Sequence, residues 1–242
     1  MIVKRVLPGC ALIGALINVV FLSTAPASAV TTWTDWTSST GGVPASVSGS
    51  LNGVGVSYSG EADSTVLNGT SPIWAPNSSF TGGTVTASPS TVGDAIFLNG
   101  NFTGTNTITF ASPQENPVFA IWSLGQPGLE ASFIFNATPT FEAGGPNSQF
   151  GGLPITVSGN TVNGREGNGV VQFAGTVSSI SWTNTFENFY GFTVGVNGPS
   201  GPGPGPGPGP LPGTTPIPEP GTIALFGIGL AGLGLARRCR AA

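Results

Sequence analysis

Between residues 30 and 197 the chain is a succession of short strand-like runs broken by turn signals, and that rhythm limits what it can fold into. The runs are 45–51, 54–59, 95–98, 105–110, 118–124, 131–136, 155–158, 170–174, 177–183 and 189–196. Gly, Ser, Thr, Asn and Val dominate, and long stretches of Ala, Leu, Glu and Lys are absent. Asn-Gly tolerates the positive φ of a tight hairpin turn. Asn52-Gly53 is therefore expected to join two strands, and Asn99-Gly100 and Asn163-Gly164 mark further hairpins. Short strands with Gly-rich turns predict an all-β fold, a single β-sandwich or jelly-roll-like domain. Residues 118–124 are apolar at nearly every position and read as a central strand covered on both faces. No exact internal repeat points to a solenoid.

The two ends differ from this body. Lys4 and Arg5 precede an apolar run that closes on Ala27-Ser28-Ala29, so residues 1–29 read as a signal peptide with a signal helix, cut by signal peptidase between Ala29 and Val30. Cys10 precedes the apolar core rather than following it, which argues against a lipoprotein signal. Residues 198–216 form a Gly/Pro-rich linker, with strict Gly-Pro alternation from Gly201 to Pro210. The period of two excludes collagen. At ~3.1 Å per residue or less the linker reaches roughly 40–60 Å. Residues 217–242 contain Pro218-Glu219-Pro220, an apolar stretch from Ile223 to Ala236, and the cluster Arg237, Arg238, Arg240. A helix over that stretch spans about 21 Å at ~1.5 Å per residue, short of the roughly 30 Å hydrocarbon core. The arginines are expected to stay cytoplasmic. The prolines keep Glu219 extended and open to a protease.

Charge and missing residue types exclude whole classes of function. Only 7% of residues are charged, against roughly 25% in an ordinary soluble domain. Residues 30–213 hold one base, Arg165, and every acid of the chain except Glu219. Such a body cannot neutralise a phosphate backbone, so nucleic acid is excluded as a partner. His is absent, and Cys10 and Cys239 both lie outside the body. A Ser-His-Asp triad, thiol chemistry and imidazole or thiolate metal sites are thereby ruled out. No cofactor is expected. Structural calcium on carboxylate and backbone oxygens is the one metal chemistry left open, although no EF-hand pattern occurs.

Only carboxylates could catalyse, and sequence spacing pairs none of them convincingly for glycan hydrolysis. Glu61 and Asp63 share strand parity and read as a solvated turn rim; Arg165-Glu166 reads as a surface ion pair. Trp122 and Trp182 are expected in the core, and Trp33 and Trp36 differ in parity. Trp74, in Ser71-Pro72-Ile73-Trp74-Ala75-Pro76, falls in a loop; it is either a cover over the core or a candidate glycan contact. Thr105, Thr107 and Thr109 share one strand face. Long flat Thr arrays occur on ice-binding surfaces, but one strand with polar residues outward has the same pattern.

The tail of Ile217-Pro218-Glu219-Pro220, short apolar helix and Arg cluster resembles the PEP-CTERM sorting signal. The resemblance implies exosortase as a partner, cleavage near the tripeptide, and delivery from a membrane-anchored precursor to the surface or exopolysaccharide of a bacterium. The body resembles the extracellular part of other PEP-CTERM proteins in Thr32–Thr37, Asn116–Gly125, Glu166–Phe173 and Phe186–Gly195. The expectation is a non-enzymatic structural or adhesive protein of the cell surface or biofilm matrix. The alternative is a carbohydrate-binding module, with a glycan hydrolase or ice-binding protein behind it.

Overall fold

The computed structural model describes residues 30–67, 72–90 and 93–198. The chain divides into two units, residues 1–201 and 202–242, and all described residues fall in the first. The expected signal peptide, sorting tripeptide and C-terminal helix lie outside the described residues, as does the expected linker except for Gly198, which closes the last strand.

The body is an all-β sandwich. Its strands are β1 (Val30–Trp33), β2 (Asp35–Thr40), β3 (Ala45–Leu51), β4 (Val54–Gly60), β5 (Ser64–Val66), β6 (Ala95–Leu98), β7 (Asn106–Glu115), β8 (Pro117–Leu124), β9 (Ala131–Phe135), β10 (Thr140–Gly144), β11 (Leu153–Pro154), β12 (Thr156–Ser158), β13 (Thr161–Gly164), β14 (Gly167–Gln172), β15 (Thr176–Asn184) and β16 (Tyr190–Gly198). One sheet runs β10-β14-β8-β16-β6-β5, with β1 on β16 and β11 on β14; the other runs β12-β13-β9-β15-β7-β4-β3-β2. Pairing is antiparallel except for the two-residue β11, which lies parallel to β14.

Alternation explains the second sheet. Along β3 and β4 the residues Ala45, Val47, Leu51, Val56 and Tyr58 are buried, while Ser46, Ser48, Ser57 and Ser59 face solvent. The main core lies between the sheets and centres on an aromatic cluster. Phe119 and Phe192 stack at 5.1 Å, and Trp182 meets both edge-on. Each such side chain contributes roughly 1.5–3 kcal/mol on burial.

The first sheet is buried on both faces, which is why its strands do not alternate. Every residue of β8 is buried. Phe119 and Ile121 face the other sheet, whereas Val118, Ala120 and Trp122 join a second core with Ile73, Trp74, Phe80 and Val85. The segment 72–90 thus forms an outer cover. It is tied to β1 by reciprocal bonds, Thr31 N–H to Thr86 Oγ1 at 2.9 Å and Thr86 N–H to Thr31 Oγ1 at 2.8 Å. Glu142 on β10 accepts from the Thr84 N–H at 2.6 Å.

Turns followed expectation in one case and not in two. Asn52 and Gly53, with φ of 51° and 79°, close the β3–β4 hairpin. Asn99-Gly100 does not make a hairpin, because β6 and β7 belong to different sheets. Asn163-Gly164 lies inside β13, paired with Ser132 and Ala131. The β12–β13 turn is instead Gly159-Asn160, with Gly159 at φ 59°. The parity conflict of Trp33 and Trp36 disappears for a similar reason. The chain changes sheets at Thr34, so the two rings belong to β1 and β2 and need not share a face.

Candidate functional site

The sandwich has two unlike ends. At one end β16 finishes at Gly198, beside Val30 of β1. Turns there are tight: Asn52-Gly53, Asn116 at φ 48° and Gly175 at φ 85°. At the other end lie Tyr190, Leu98 and Trp122, brought together by the β16–β6 and β16–β8 registers. β16 has nine residues, so the ends are about 26 Å apart at ~3.3 Å per residue. The longer connections 61–63, 99–105, 125–130, 145–152 and 185–189 gather at this second end, called distal below.

Two buried polar networks hold the distal loops. In the first, Asn106 of β7 accepts from the Tyr58 hydroxyl at 2.7 Å and the Glu61 N–H at 2.9 Å. Its side-chain amide donates to Asn184 of β15. Asn184 donates to the Tyr190 hydroxyl at 2.6 Å and to Glu61 Oε2 at 3.3 Å. Glu61, 4% exposed, also accepts N–H bonds from Gly100 and Asn101, each at 3.0 Å. Its partners are donors on both oxygens, which satisfies a buried carboxylate and leaves it poorly suited to a cation. The expected solvated rim is thus wrong for Glu61, although Asp63 is exposed. Burial, with the Glu61 charge second, holds the Tyr58 hydroxyl far above its ordinary range. Among the described residues no group of three or more His, Cys, Asp or Glu could hold a metal ion.

The second network centres on Asn168 of β14, which is fully buried. It accepts from the Ser123 N–H at 2.8 Å and the Asn147 side chain at 2.9 Å, and donates to the Glu166 carbonyl at 2.8 Å. Ser123 sits at φ 58°, a left-handed conformation uncommon for serine. Its hydroxyl donates to Glu166 at 2.6 Å. Arg165 pairs with Glu130 at 3.6 Å rather than with Glu166; both partners are exposed and the pair adds little.

An aromatic groove of about 580 Å³ opens between these networks, lined by Thr65, Phe97, Trp122, Gln149, Phe150 and Phe189 among others. Phe189 stacks on Phe97 at 4.6 Å and meets Trp122 edge-on at 5.9 Å. Phe150 stands 5.5 Å from Trp122. Phe150 and Phe189 are 58% and 38% exposed, while Trp122 forms the buried back wall. Each exposed ring is positioned through its own backbone. Buried Asn147 accepts the Phe150 N–H at 2.6 Å, and buried Glu187 accepts the Phe189 N–H at 3.1 Å. Glu187 also accepts the Gly125 N–H at 3.2 Å. Burial pushes the Glu187 carboxyl up to about 7, against the lowering effect of those N–H groups and with the Glu166 charge adding to the rise.

Trp122 and Trp182 are core residues, as expected. The candidate glycan contact Trp74 is not available. It is 0% exposed, packs edge-on against Phe80 at 5.2 Å, and donates its Nε1 proton to the Asp94 carbonyl at 3.3 Å. The flanking prolines do place it in a loop, but that loop covers the outer face of the first sheet. Thr107 and Thr109 face outward beside Ser181 and Ser179 of β15, so they belong to a solvated sheet face. Val30 opens β1. Ala27, Ala29, Pro218, Glu219, Pro220, Arg237, Arg238 and Arg240 lie outside the described residues. Sequence reasoning missed Phe150 and Phe189. The signal for Phe150 was a large aromatic isolated in Gly- and Asn-containing loop sequence, whereas Phe189, next to Tyr190, read as the first residue of a strand.

Residues 216–240 match the family model described as the PEP-CTERM protein-sorting motif. No curated protein and no solved structure matches the chain.

Proposed function

Because the chain carries a PEP-CTERM sorting motif at residues 216–240, and is on that ground an exosortase-sorted exported protein, we propose that it serves as a structural or adhesive component of the cell surface and its exopolysaccharide matrix. The sorting motif is the observation that carries this reading. A Gly/Pro-rich stretch, residues 198–216, precedes the motif in the sequence. The sandwich itself suits passive service outside the cell. It has two hydrophobic cores, no cysteine to oxidise, and satisfied polar networks at its loop-bearing end. Its buried carboxylates, Glu61 and Glu187, accept backbone N–H groups of the distal loops, and its single cation is held in a surface pair, which suits a scaffold.

The test is fractionation of the producing bacterium. The mature protein is expected to co-purify with washed exopolysaccharide, and deletion of the chain to weaken matrix cohesion with polysaccharide output unchanged. Recovery of the whole pool as freely diffusing protein, with cohesion unaltered in the deletion strain, would overturn the structural reading.

A further inference from the structure

We infer that the distal aromatic groove is a binding site for an uncharged glycan, engaged through the exposed rings of Phe150 and Phe189. The inference rests on the reading of the protein as a matrix component and names the site through which it would hold that matrix.

Four observations converge on it. Aromatic faces beside hydrogen-bonding side chains match a pyranose, which offers C–H faces to rings and hydroxyls to amides. Phe150 and Phe189 provide two exposed ring surfaces over the buried Trp122, and Thr65 and Gln149 are among the polar residues of the lining. The volume, about 580 Å³, lies within the roughly 300–1,000 Å³ of small-ligand sites.

Charge selects among sugars. No cationic side chain lines the groove, and Arg165 is held at Glu130. Glu166 and Glu187 do not line the groove and are bonded to Ser123 and to the Gly125 and Phe189 N–H groups. With no charged side chain of either sign lining the groove, an anionic polysaccharide would find no counter-charge there, so a neutral glycan is the class that fits.

The rings are held in place before any ligand arrives. Exposed phenylalanines on loops ordinarily sample several orientations. Here both loops are fixed by buried acceptors, Asn147 beneath Phe150 and Glu187 beneath Phe189. Such preorganisation lowers the ordering cost of binding. Position supplies the last argument. The groove lies at the start of β16, and the chain continues toward the linker from the opposite end of that strand, at Gly198. The rings are therefore on the end of the body opposite Gly198.

Residues 30–198 contain both cores and every described strand pairing, so this body can be used alone. Titration calorimetry with cello-, chito-, laminari-, malto- and mannohexaose, and pull-down with the corresponding insoluble polysaccharides, would reveal saturable binding to at least one. Phe150→Ala and Phe189→Ala are each expected to weaken it by about tenfold or more, and Phe141→Ala, an exposed ring outside the groove, to leave it within about twofold. Folding of each variant is checked by near-ultraviolet circular dichroism. Tryptophan fluorescence of the unaltered protein gives a second readout: of its five tryptophans only Trp122 lines the groove, and a ligand-dependent shift is expected. Absence of binding to every neutral glycan would overturn the proposal, as would binding unaffected by both groove substitutions. Binding of phosphatidylcholine vesicles through the same two rings, with no glycan bound, would overturn it in favour of an apolar ligand. None of these failures touches the sorting motif, whose own test follows the C-terminus rather than the groove.

Discussion

Glu187 is the carboxyl that burial carries into the neutral pH range. Its carboxyl is raised from 4.5 to about 7 because it is buried. A group that binds its proton more tightly when folded contributes that stability in full below its unfolded value, near 4.5, and loses it as pH rises through about 7. The body should therefore lose stability between about pH 4.5 and 7 through this residue. In Glu187→Gln, chemical denaturation across that range should show a flatter slope; an unchanged slope would show that Glu187 is not its source. Asn168 makes a separate prediction. Asn168→Ala removes the acceptor of the buried Ser123 N–H and the partner of Asn147. It should cost about 1–3 kcal/mol for the orphaned groups, read as a lower denaturation midpoint.

At the scale of elements, the cover formed by residues 72–90 decides whether the first sheet is buried on both faces. Trp74→Ala should cost about 3–5 kcal/mol, because the ring fills the second core and no solvent can take its place. A loss below about 1 kcal/mol would place Trp74 outside the core energetics. This element also marks where legibility in the sequence ended. The strands at 45–51, 95–98 and 118–124 were readable because an apolar stretch or a period of two is a local signal. β8 even announced its two covered faces. The partner on its outer face was not readable, because it is an irregular segment whose apolar residues, Ile73, Trp74, Phe80 and Val85, follow no period. Asn99-Gly100 and Asn163-Gly164 show the same limit. Asn-Gly permits positive φ, but whether the chain returns to the same sheet depends on distant strands. Glu61 looked like a turn rim because its neighbourhood comes from Asn101, Asn106 and Asn184, all far away in sequence. The distal groove stayed hidden for that reason too: Phe97, Trp122, Phe150 and Phe189 meet only once β6, β8 and β16 are in register.

On the scale of the whole molecule, sorting and folding belong to different segments of the chain. The tail at 216–240 carries the sorting motif, and the body carries the sandwich and its distal groove. The central claim is that the tail is read by exosortase and removed. Intact-mass analysis of the mature protein from the producing strain tests it most directly, with Glu219→Ala and an exosortase deletion as comparisons. The expected mass places the new C-terminus near Pro218-Glu219-Pro220, without Arg237, Arg238 and Arg240, and both comparison strains retain the tail. A mature wild-type protein that still ends beyond Arg240 would contradict processing and make the tail a permanent anchor.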